Sequence, residues 1–388
     1  MTETAARDRH DGGAQPVALV LTGGGARAAY QIGFLRCLAG RMPAERFDVI
    51  TGVSAGAINA AFLAAHPGSL VDAVDDLSAI WEGLSPDRIF RVGGASLAAT
   101  VARWALRLVS GGGLATPRTR GLLNTEPLRR LLEERLRPVD GEIAGIGANI
   151  DAGRLSAVAL STLNYATGQT VTWVEGREIP GWQRANRIGV NTRLTVDHVM
   201  ASAALPLMFP AVKLQGSWCG DGGVRMLTPL APAVHLGASR ILAISTRYDR
   251  TREEADRPLI RGYPPPAQIA GTLLNAIFLD SVDQDALRLE RINRLLDKLP
   301  PEERGGLRPV QLVVLRPSVD LGMLAARYEA QLPKAFRFLT RGLGTRETAS
   351  PDFLSLLMFQ SDYLKKLIEI GERDAERRAA EIRTLMSD

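Results

Sequence analysis

The sequence of 388 residues contains few of the side chains that build disulfide bonds and metal sites. Cys37 and Cys219 are its only cysteines, and no C-x-x-C pair occurs, which excludes a disulfide framework and a cysteine-based zinc site. Asp280, Asp283 and Asp285 lie on a predicted helix, where such spacing is typical of a polar face. We therefore expect no metal and no other cofactor, and a reducing, cytoplasmic location.

Long apolar runs and runs of one charge are absent as well. No uncharged apolar stretch reaches about 18 residues and the N-terminus is polar, so the sequence predicts neither a membrane span nor an export signal. The formal charge of +5 comes from basic residues that are mixed with acidic ones, which argues against a nucleic-acid partner. This mild excess would suit an anionic phospholipid surface, and it would equally serve solubility.

What the sequence does have is an alternation of apolar runs and helical segments. Runs at 17–21 and 47–50 are each followed by a helical segment, at 26–38 and 55–65, a pattern typical of a parallel sheet covered by helices on both faces. We predict an α/β fold, a three-layer α/β/α sandwich with a mainly parallel central sheet. Further strands are predicted at 156–160, 170–174, 212–214, 241–244 and 310–314, and long helical segments at about 267–298 and 352–386.

Glycine-rich segments follow the first two predicted strands. Residues 22–28 read T-G-G-G-A-R-A, and residues 52–56 read G-V-S-A-G. The second is a G-x-S-x-G pattern, in which a serine lies on a tight turn, and Gly52 and Gly56 leave room for that turn to form. Ser54 is therefore the candidate nucleophile, and its hydroxyl needs a neighbouring base to remove the proton.

Histidine, the usual base, is scarce. Of His10, His66, His198 and His235, only the last two could follow an acid in the order serine, acid, histidine. His235 lies in an apolar helical stretch, and His198 lies near the start of a helix that Thr195 would cap. Both histidines are thus more simply explained as structural residues.

Asp221 is the stronger candidate for the base. It lies between Gly220 and the pair Gly222 and Gly223 at the end of a short predicted strand, and residues 201–210 upstream read A-S-A-A-L-P-L-M-F-P. Alone, such an aspartate would be read as an ordinary turn. Together with the two glycine-rich segments, however, these motifs resemble the patatin-like phospholipase family.

The family pattern combines G-G-G-x-R/K-G, G-x-S-x-G, A-S-x-A-x-P-x-x-F-P and D-G-G/A, and all four motifs occur in order within residues 17–230. One departure is Ala28, where the family has the last glycine of its first motif. Alanine restricts the backbone if that position requires a positive φ.

The resemblance implies specific roles for these residues. Ser54 would attack an ester carbonyl, and Asp221 would act directly as the base. The backbone N–H groups of Gly23, Gly24 and Gly25 would hold the oxyanion, assisted by that of Ala55. Arg27 would support the loop or meet a phosphate, although a structural ion pair explains it equally well. The motifs themselves also include Gly52, Gly56, Gly222 and Gly223.

The same resemblance implies a lipid acyl hydrolase of the phospholipase A or lysophospholipase type, acting on lipid or phospholipid esters. We expect a flexible tail over 1–16, a patatin-like catalytic core over 17–246, and a mostly helical C-terminal extension packed on that core over 247–388.

Residues 85–122 are the candidate for contact with lipid. Leu97, Val101, Trp104 and Leu108 share one face of a predicted helix that also carries arginines. Such a helix could lie on a membrane or cover the site, and a helix packed on the core would show the same stripe. Our hypothesis is that 85–122 forms the lipid-facing wall of the cleft and makes a peripheral membrane contact.

Two other classes of function compete with hydrolysis. The first is a lipid-binding or scaffold protein that keeps the fold without turnover. The second is a dinucleotide-binding protein, because Gly23-x-Gly25-x-x-Ala28 follows a strand. That fingerprint requires an acid at the carboxyl end of the next strand, whereas Asp48 lies near its start. A malonyl-transferase type of serine enzyme is also disfavoured, since Val53 stands where that class has histidine.

Overall fold

The computed structural model describes residues 15–387, apart from 92–108, 111–120 and the single positions 178, 180, 261, 279, 343 and 349. Its strands are β1 (Val17–Leu21), β2 (Val49–Val53), β3 (Ala157–Asn164), β4 (Thr170–Gly176), β5 (Gln183–Arg184), β6 (Arg187–Asn191), β7 (Val212–Leu214), β8 (Ser217–Asp221), β9 (Arg240–Ile244) and β10 (Gln311–Leu315).

The described α-helices cover both faces of the sheet. They are α1 (Ala29–Arg41), α2 (Ala55–Ala65), α3 (Leu70–Glu82), α4 (Pro86–Ile89), α5 (Glu126–Leu136), α6 (Ala144–Asp151), α7 (Val196–Ser202), α8 (Ala231–His235), α9 (Arg252–Ala255), α10 (Pro266–Phe278), α11 (Ser281–Leu296), α12 (Leu321–Ala326), α13 (Lys334–Gly342), α14 (Asp352–Leu357), α15 (Ser361–Arg377) and α16 (Ala379–Ser387).

The centre of the sheet is parallel, in the order β10-β9-β1-β2-β3. Successive side chains of β1 enter opposite hydrophobic cores: Leu19 packs into the core that contains α1, α2 and α15, and Ala18 into the core that contains α8 and α11. A strand buried on both faces must be apolar throughout, which is why 17–21 carries no polar residue. The predicted three-layer α/β/α fold is confirmed.

The register around β3 brings the ends of strands β2 and β8 together. On one edge β3 pairs with β4; on the other it pairs first with β2 and then with β8. The parallel strand β2 ends with Val53 opposite Ser161, and the antiparallel strand β8 ends with Asp221 opposite Thr162. Since β2 and β8 run toward each other along the same edge, the residues that follow or end them meet.

The C-terminal region packs tightly on the first helix. A Cβ atom on Gly33 of α1 would lie 1.7 Å from the carbonyl oxygen of Ile368 in α15, and one on Gly371 would lie 2.1 Å from that of Tyr30. Only glycine permits this approach, so the two backbones lie in direct contact. Residues after 246 also supply β10 to the sheet edge.

Several predicted boundaries shift. The helical segment predicted at 26–38 begins as a 3-10 turn over Gly25–Ala28 before α1, and the segment at 267–298 is divided into α10 and α11. Among the described helices, none combines the length and the apolar character needed to cross a bilayer.

Candidate active site

Ser54 lies on a strained turn between β2 and α2. Its backbone has φ 56° and ψ −131°, a conformation that a side chain disfavours and that a G-x-S-x-G turn requires. A Cβ on Gly56 would lie 2.3 Å from the carbonyl oxygen of Leu21, and one on Gly52 would lie 2.6 Å from that of Gly56. Both flanking glycines are therefore needed for the turn.

Ser202 stabilises this turn through hydrogen bonds to its backbone and to β3. The backbone N–H of Ser54 donates to the Ser202 hydroxyl oxygen at 3.1 Å, and that hydroxyl donates to the carbonyl oxygen of Ser161 at 2.7 Å. Ser202 is fully buried. The sequence analysis assigned it no role, although it lies in the A-S-x-A segment that carried the resemblance.

Asp221 is buried beside Ser54. Its Oδ1 accepts the backbone N–H of Gly223 at 2.9 Å, whereas Oδ2 has no hydrogen-bond partner among the described residues. Burial raises the pKa of Asp221 to about 7, against smaller opposing effects of the Ser54 hydroxyl and the Gly223 N–H. A Cβ on Gly222 would lie 2.3 Å from the carbonyl oxygen of Ser161, so this turn also depends on a glycine.

The glycine loop lies against the same serine. A Cβ on Gly23 would lie 2.9 Å from the Cβ of Ser54. Gly24 has φ 145° and Gly25 has φ 55°, both in the region that favours glycine. Their N–H groups, like that of Ala55 at the start of α2, donate to no acceptor within the described ranges.

Two contacts hold the loop from outside. The Thr246 hydroxyl donates to the carbonyl oxygen of Gly23 at 2.7 Å. On the far side, a Cβ on Gly25 would lie 2.1 Å from the carbonyl oxygen of Leu356, so α14 touches the loop directly. Neither partner was identified from the sequence, because both are brought in from distant parts of the chain.

Arg27 and Ala28 both have structural explanations. The buried Arg27 guanidinium forms an ion pair with Asp352, and its Nε donates to the Ser355 hydroxyl at 2.6 Å. Ala28 has φ −65°, an ordinary helical value that alanine adopts without strain. The departure from the family pattern at Ala28 therefore leaves the loop geometry undisturbed.

An apolar cleft of about 930 Å³ opens beside Ser54. Gly24, Gly25 and Ala55 line it together with Ser54, and Arg135 is the one charged residue among its described lining residues. Most of the wall comes from α2, α3, α5 and the end of α14 with the residues that follow it, including Ile58, Phe62, Leu77, Trp81, Leu128, Leu131, Leu132, Leu356 and Phe359. Such a surface suits a hydrocarbon chain.

Of the predicted lipid-facing segment 85–122, Ile89 lines the cleft. The stripe formed by Leu97, Val101, Trp104 and Leu108 lies outside the described residues.

The two candidate histidines make other contacts. The Nδ1 of His198 lies 2.9 Å from the Thr195 hydroxyl oxygen, its ring packs edge-on against Trp173, and burial lowers its pKa to about 4. The ring of His235 stacks on Trp182. Neither histidine hydrogen-bonds Ser54 in the part of the chain that the structure describes.

The geometry also disfavours the dinucleotide and metal interpretations. The Asp48 carboxylate accepts the N–H of Val17 at 2.8 Å, at the amino end of β1, roughly 16 Å of strand away from the glycine loop. Asp280 and Asp283 pair with arginines, including Arg247. Asp285 accepts the N–H of Leu230 at 2.9 Å.

Comparison with known families identifies the family of the chain. A model of the patatin-like phospholipase family matches residues 19–234, which is more than half of the chain. The chain belongs to the patatin-like phospholipase family. Membership supports a lipid hydrolase acting on lipid esters.

Solved structures of patatin-fold phospholipases resemble the chain at low identity. Human GIVD cytosolic phospholipase A2 is 13% identical with a TM-score of 0.46, and the match covers 96% of this chain and 60% of that one. VipD from Legionella pneumophila is 12% identical with a TM-score of 0.36, covering 92% and 67%. The type III effector ExoU of Pseudomonas aeruginosa is 14% identical with a TM-score of 0.34, covering 92% and 54%.

The chain thus spans between 54% and 67% of the length of these three structures. A comparison with curated proteins finds no match.

Proposed function

We propose that the chain hydrolyses the carboxylic esters of lipids, with Ser54 as nucleophile and Asp221 as its base. The proposal depends on the pairing of β2 and β8 end to end along β3, because the strained Ser54 turn follows β2 and Asp221 ends β8. Oδ2 of Asp221 is buried and has no hydrogen-bond partner among the described residues. A buried polar atom without a partner is costly, and catalytic use is a reason to retain one.

The first step is transfer of the Ser54 hydroxyl proton to Oδ2 of Asp221 as Oγ bonds to the ester carbonyl carbon. With a pKa of about 7, Asp221 is ionised in a large share of molecules near neutral pH and is still basic enough to accept that proton. Burial supplies this basicity, since an exposed aspartate is a much weaker base.

The carbonyl oxygen then carries the negative charge of the tetrahedral intermediate. Its proposed donors are the N–H groups of the loop Gly23, Gly24 and Gly25, with that of Ala55. The N–H groups of Gly24, Gly25 and Ala55 support this role, since they donate to no acceptor among the residues that the structure describes. Preorganised donors of this kind contribute about 10² to 10³ each to the rate, and the positive end of the α2 dipole adds to them.

Collapse of the intermediate breaks the ester C–O bond, and the leaving alkoxide takes the proton from Asp221. The acyl group remains on Ser54 until a water molecule, deprotonated by Asp221, attacks it and releases the carboxylic acid. The apolar cleft would hold the acyl chain meanwhile, because burying each methylene group contributes about 0.8 kcal/mol. Phospholipids are the leading substrates, by family membership.

Turnover of chromogenic acyl esters tests the proposal. The wild-type protein should hydrolyse them, and Ser54→Ala and Asp221→Asn should both fall to the background rate. A fluorophosphonate probe should label wild type and leave Ser54→Ala unlabelled. The matched control is Ser78→Ala, which removes another buried serine hydroxyl. Within the described ranges, that hydroxyl donates only to the carbonyl oxygen of Val74 in its own helix.

Equal background rates for wild type and both variants would instead favour a lipid-binding or scaffold protein that keeps the patatin fold. Hydrolysis that survives in Asp221→Asn while Ser54→Ala is inactive would assign the base to another residue.

A further inference from the structure

A second pocket, of about 800 Å³, lies near the β5–β6 hairpin and shares no lining residue with the apolar cleft. Arginines enter it from three separate parts of the fold: Arg184 and Arg187 from the hairpin, Arg225 from the turn after Asp221, and Arg288 from α11. No carboxylate lines this arginine pocket among the described residues.

The cations are not neutralised by ion pairs. Across the described chain, none of the four arginines has a carboxylate within 4.0 Å. The nearby Asp285 is buried and already accepts the backbone N–H of Leu230. Burial lowers the pKa of Arg187, and the neighbouring Arg184 and Arg288 lower it further, against the opposing effect of Asp285. Arg184 and Arg288 thus repel the Arg187 charge.

The hairpin makes this repulsion worse. Arg184 and Arg187 are directly opposite each other in the antiparallel pairing of β5 with β6. Like charges at opposed positions destabilise a strand pair, by up to about 1 kcal/mol. A protein without a use for these charges would gain stability by replacing either one.

Two of the guanidinium groups are also held in place. Arg187 donates to the Thr228 hydroxyl, and Arg225 donates to the carbonyl oxygen of Gly168 at 2.7 Å. Each bond occupies only part of the five N–H donors of a guanidinium group, which leaves the others for a ligand. The stacked rings of Trp182 and His235 also line the pocket.

We propose that the arginine pocket binds a phosphate group, with the guanidinium groups of Arg184, Arg187, Arg225 and Arg288 as its ligands. A terminal phosphate carries up to two charges and three acceptor oxygens, and it matches the planar donor fork of arginine. The group belongs either to a soluble phosphate compound or to a lipid headgroup. This binding site is independent of the hydrolytic chemistry at Ser54.

Titration calorimetry with inorganic pyrophosphate tests the soluble source. Sedimentation with phosphatidylcholine vesicles that contain phosphatidic acid tests the lipid source, and phosphatidylserine vesicles of equal charge serve as the comparison. The variant is Arg288→Gln. Its control is Arg294→Gln, which removes the same charge from an exposed position six residues further along α11, outside the pocket.

We expect Arg288→Gln to weaken binding about tenfold, the effect of losing a charge-assisted hydrogen bond, while Arg294→Gln binds like wild type. Binding of pyrophosphate alone assigns the site to soluble phosphate compounds. Selective binding to phosphatidic acid vesicles assigns it to lipid headgroups. Absence of both, or equal weakening by the two variants, overturns the proposal.

A third variant tests the proposal independently of Arg288→Gln, in case that variant misfolds. Arg184→Gln should raise the melting temperature of the free protein, since it relieves the cross-strand repulsion, and should reduce the stabilisation that pyrophosphate gives. A lower melting temperature in the free protein would contradict the idea that these arginines oppose one another for the sake of a ligand.

Discussion

The backbone N–H of Ser54 donates to the hydroxyl oxygen of Ser202, 148 residues further along the chain. This single side chain bridges the strained turn to β3, since its own hydroxyl donates to Ser161. The turn that presents the candidate nucleophile is thus fixed by a residue that does not itself line the cleft.

Replacing Ser202 tests this support. In Ser202→Ala the N–H of Ser54 and the carbonyl of Ser161 lose a buried partner, which should cost about 1–3 kcal/mol of unfolding free energy. We expect kcat to fall more than KM rises, because the turn shifts while the apolar cleft is intact. Ser239→Ala, at a buried serine near the amino end of β9, should change neither kinetic constant. Unchanged kcat in Ser202→Ala would show that the turn needs no such support.

The pH dependence follows from Asp221. The base must be ionised, and its pKa is about 7, so kcat/KM should rise tenfold per pH unit below about pH 7 and level off above it. Initial rates with a neutral ester over pH 5 to 9 measure this profile. A plateau that extends down to about pH 5 would mean that a stronger acid than Asp221 controls the reaction.

The same carboxyl group should lower stability as the pH rises. Its folded pKa lies above the unfolded value of about 3.9, so the folded state binds the proton more tightly. The stabilisation from the bound proton is complete below the unfolded pKa and is lost as the pH rises through about 7. Asp221→Asn should therefore melt at a higher temperature than wild type at about pH 8, with a smaller difference at about pH 5.

Thermal melts of both proteins across this range measure the effect. The control is Asp256→Asn at an exposed aspartate, which should show no such trend. Parallel melting curves for wild type and Asp221→Asn at every pH would contradict the raised pKa.

Crowding at Gly23 provides a steric test of the loop. The methyl group of Gly23→Ala would meet the Cβ of Ser54 at 2.9 Å, so either the loop or the serine must move. A displacement of about 1 Å at a reacting group can cost about 10²-fold in rate, and we expect at least that loss in kcat. Gly40→Ala in α1, where the added methyl group meets no described atom within 4 Å apart from its chain neighbours and the backbone of its own helix, should keep full activity.

The cleft wall should set the preferred acyl length. Leu131 is half-buried in α5 and lines the cleft, so Leu131→Trp should fill part of its volume and shift the preference toward shorter esters. Ratios of kcat/KM for a series of acyl lengths give the measurement. Leu295→Trp, at an exposed leucine of α11, is the control. Equal ratios in wild type and Leu131→Trp would place the acyl chain elsewhere.

Much of the sheet could be predicted because its buried strands are apolar on both faces. The strands at 17–21 and 212–214 have the predicted bounds, and the other predicted strands differ from the structure at one or both ends. β5 was missed because it consists of two polar residues, Gln183 and Arg184. β6 was missed although Ile188 and Val190 alternate with its other residues, because this strand is only five residues long and has no continuous apolar run. The breaks before α11 and α15 were missed as well.

The site was predictable only in part, for a similar reason. Ser54 and Asp221 were identified through motifs, and the roles assigned to them remain predictions that the kinetic variants would test. The contacts of Ser202, Thr246 and Arg27 could not be read from the chain, because their partners lie between 148 and 328 residues away. Local patterns carry no information about such partners.

The contact between α14 and the glycine loop has a consequence for biosynthesis. Leu356, Leu357 and Phe359 close part of the cleft, and Asp352 anchors Arg27, yet all of them are synthesised about 300 residues after Ser54. During synthesis, Ser54 is therefore present long before the residues that complete the cleft. Any esterase activity would therefore depend on these later segments having been synthesised and packed against the glycine loop.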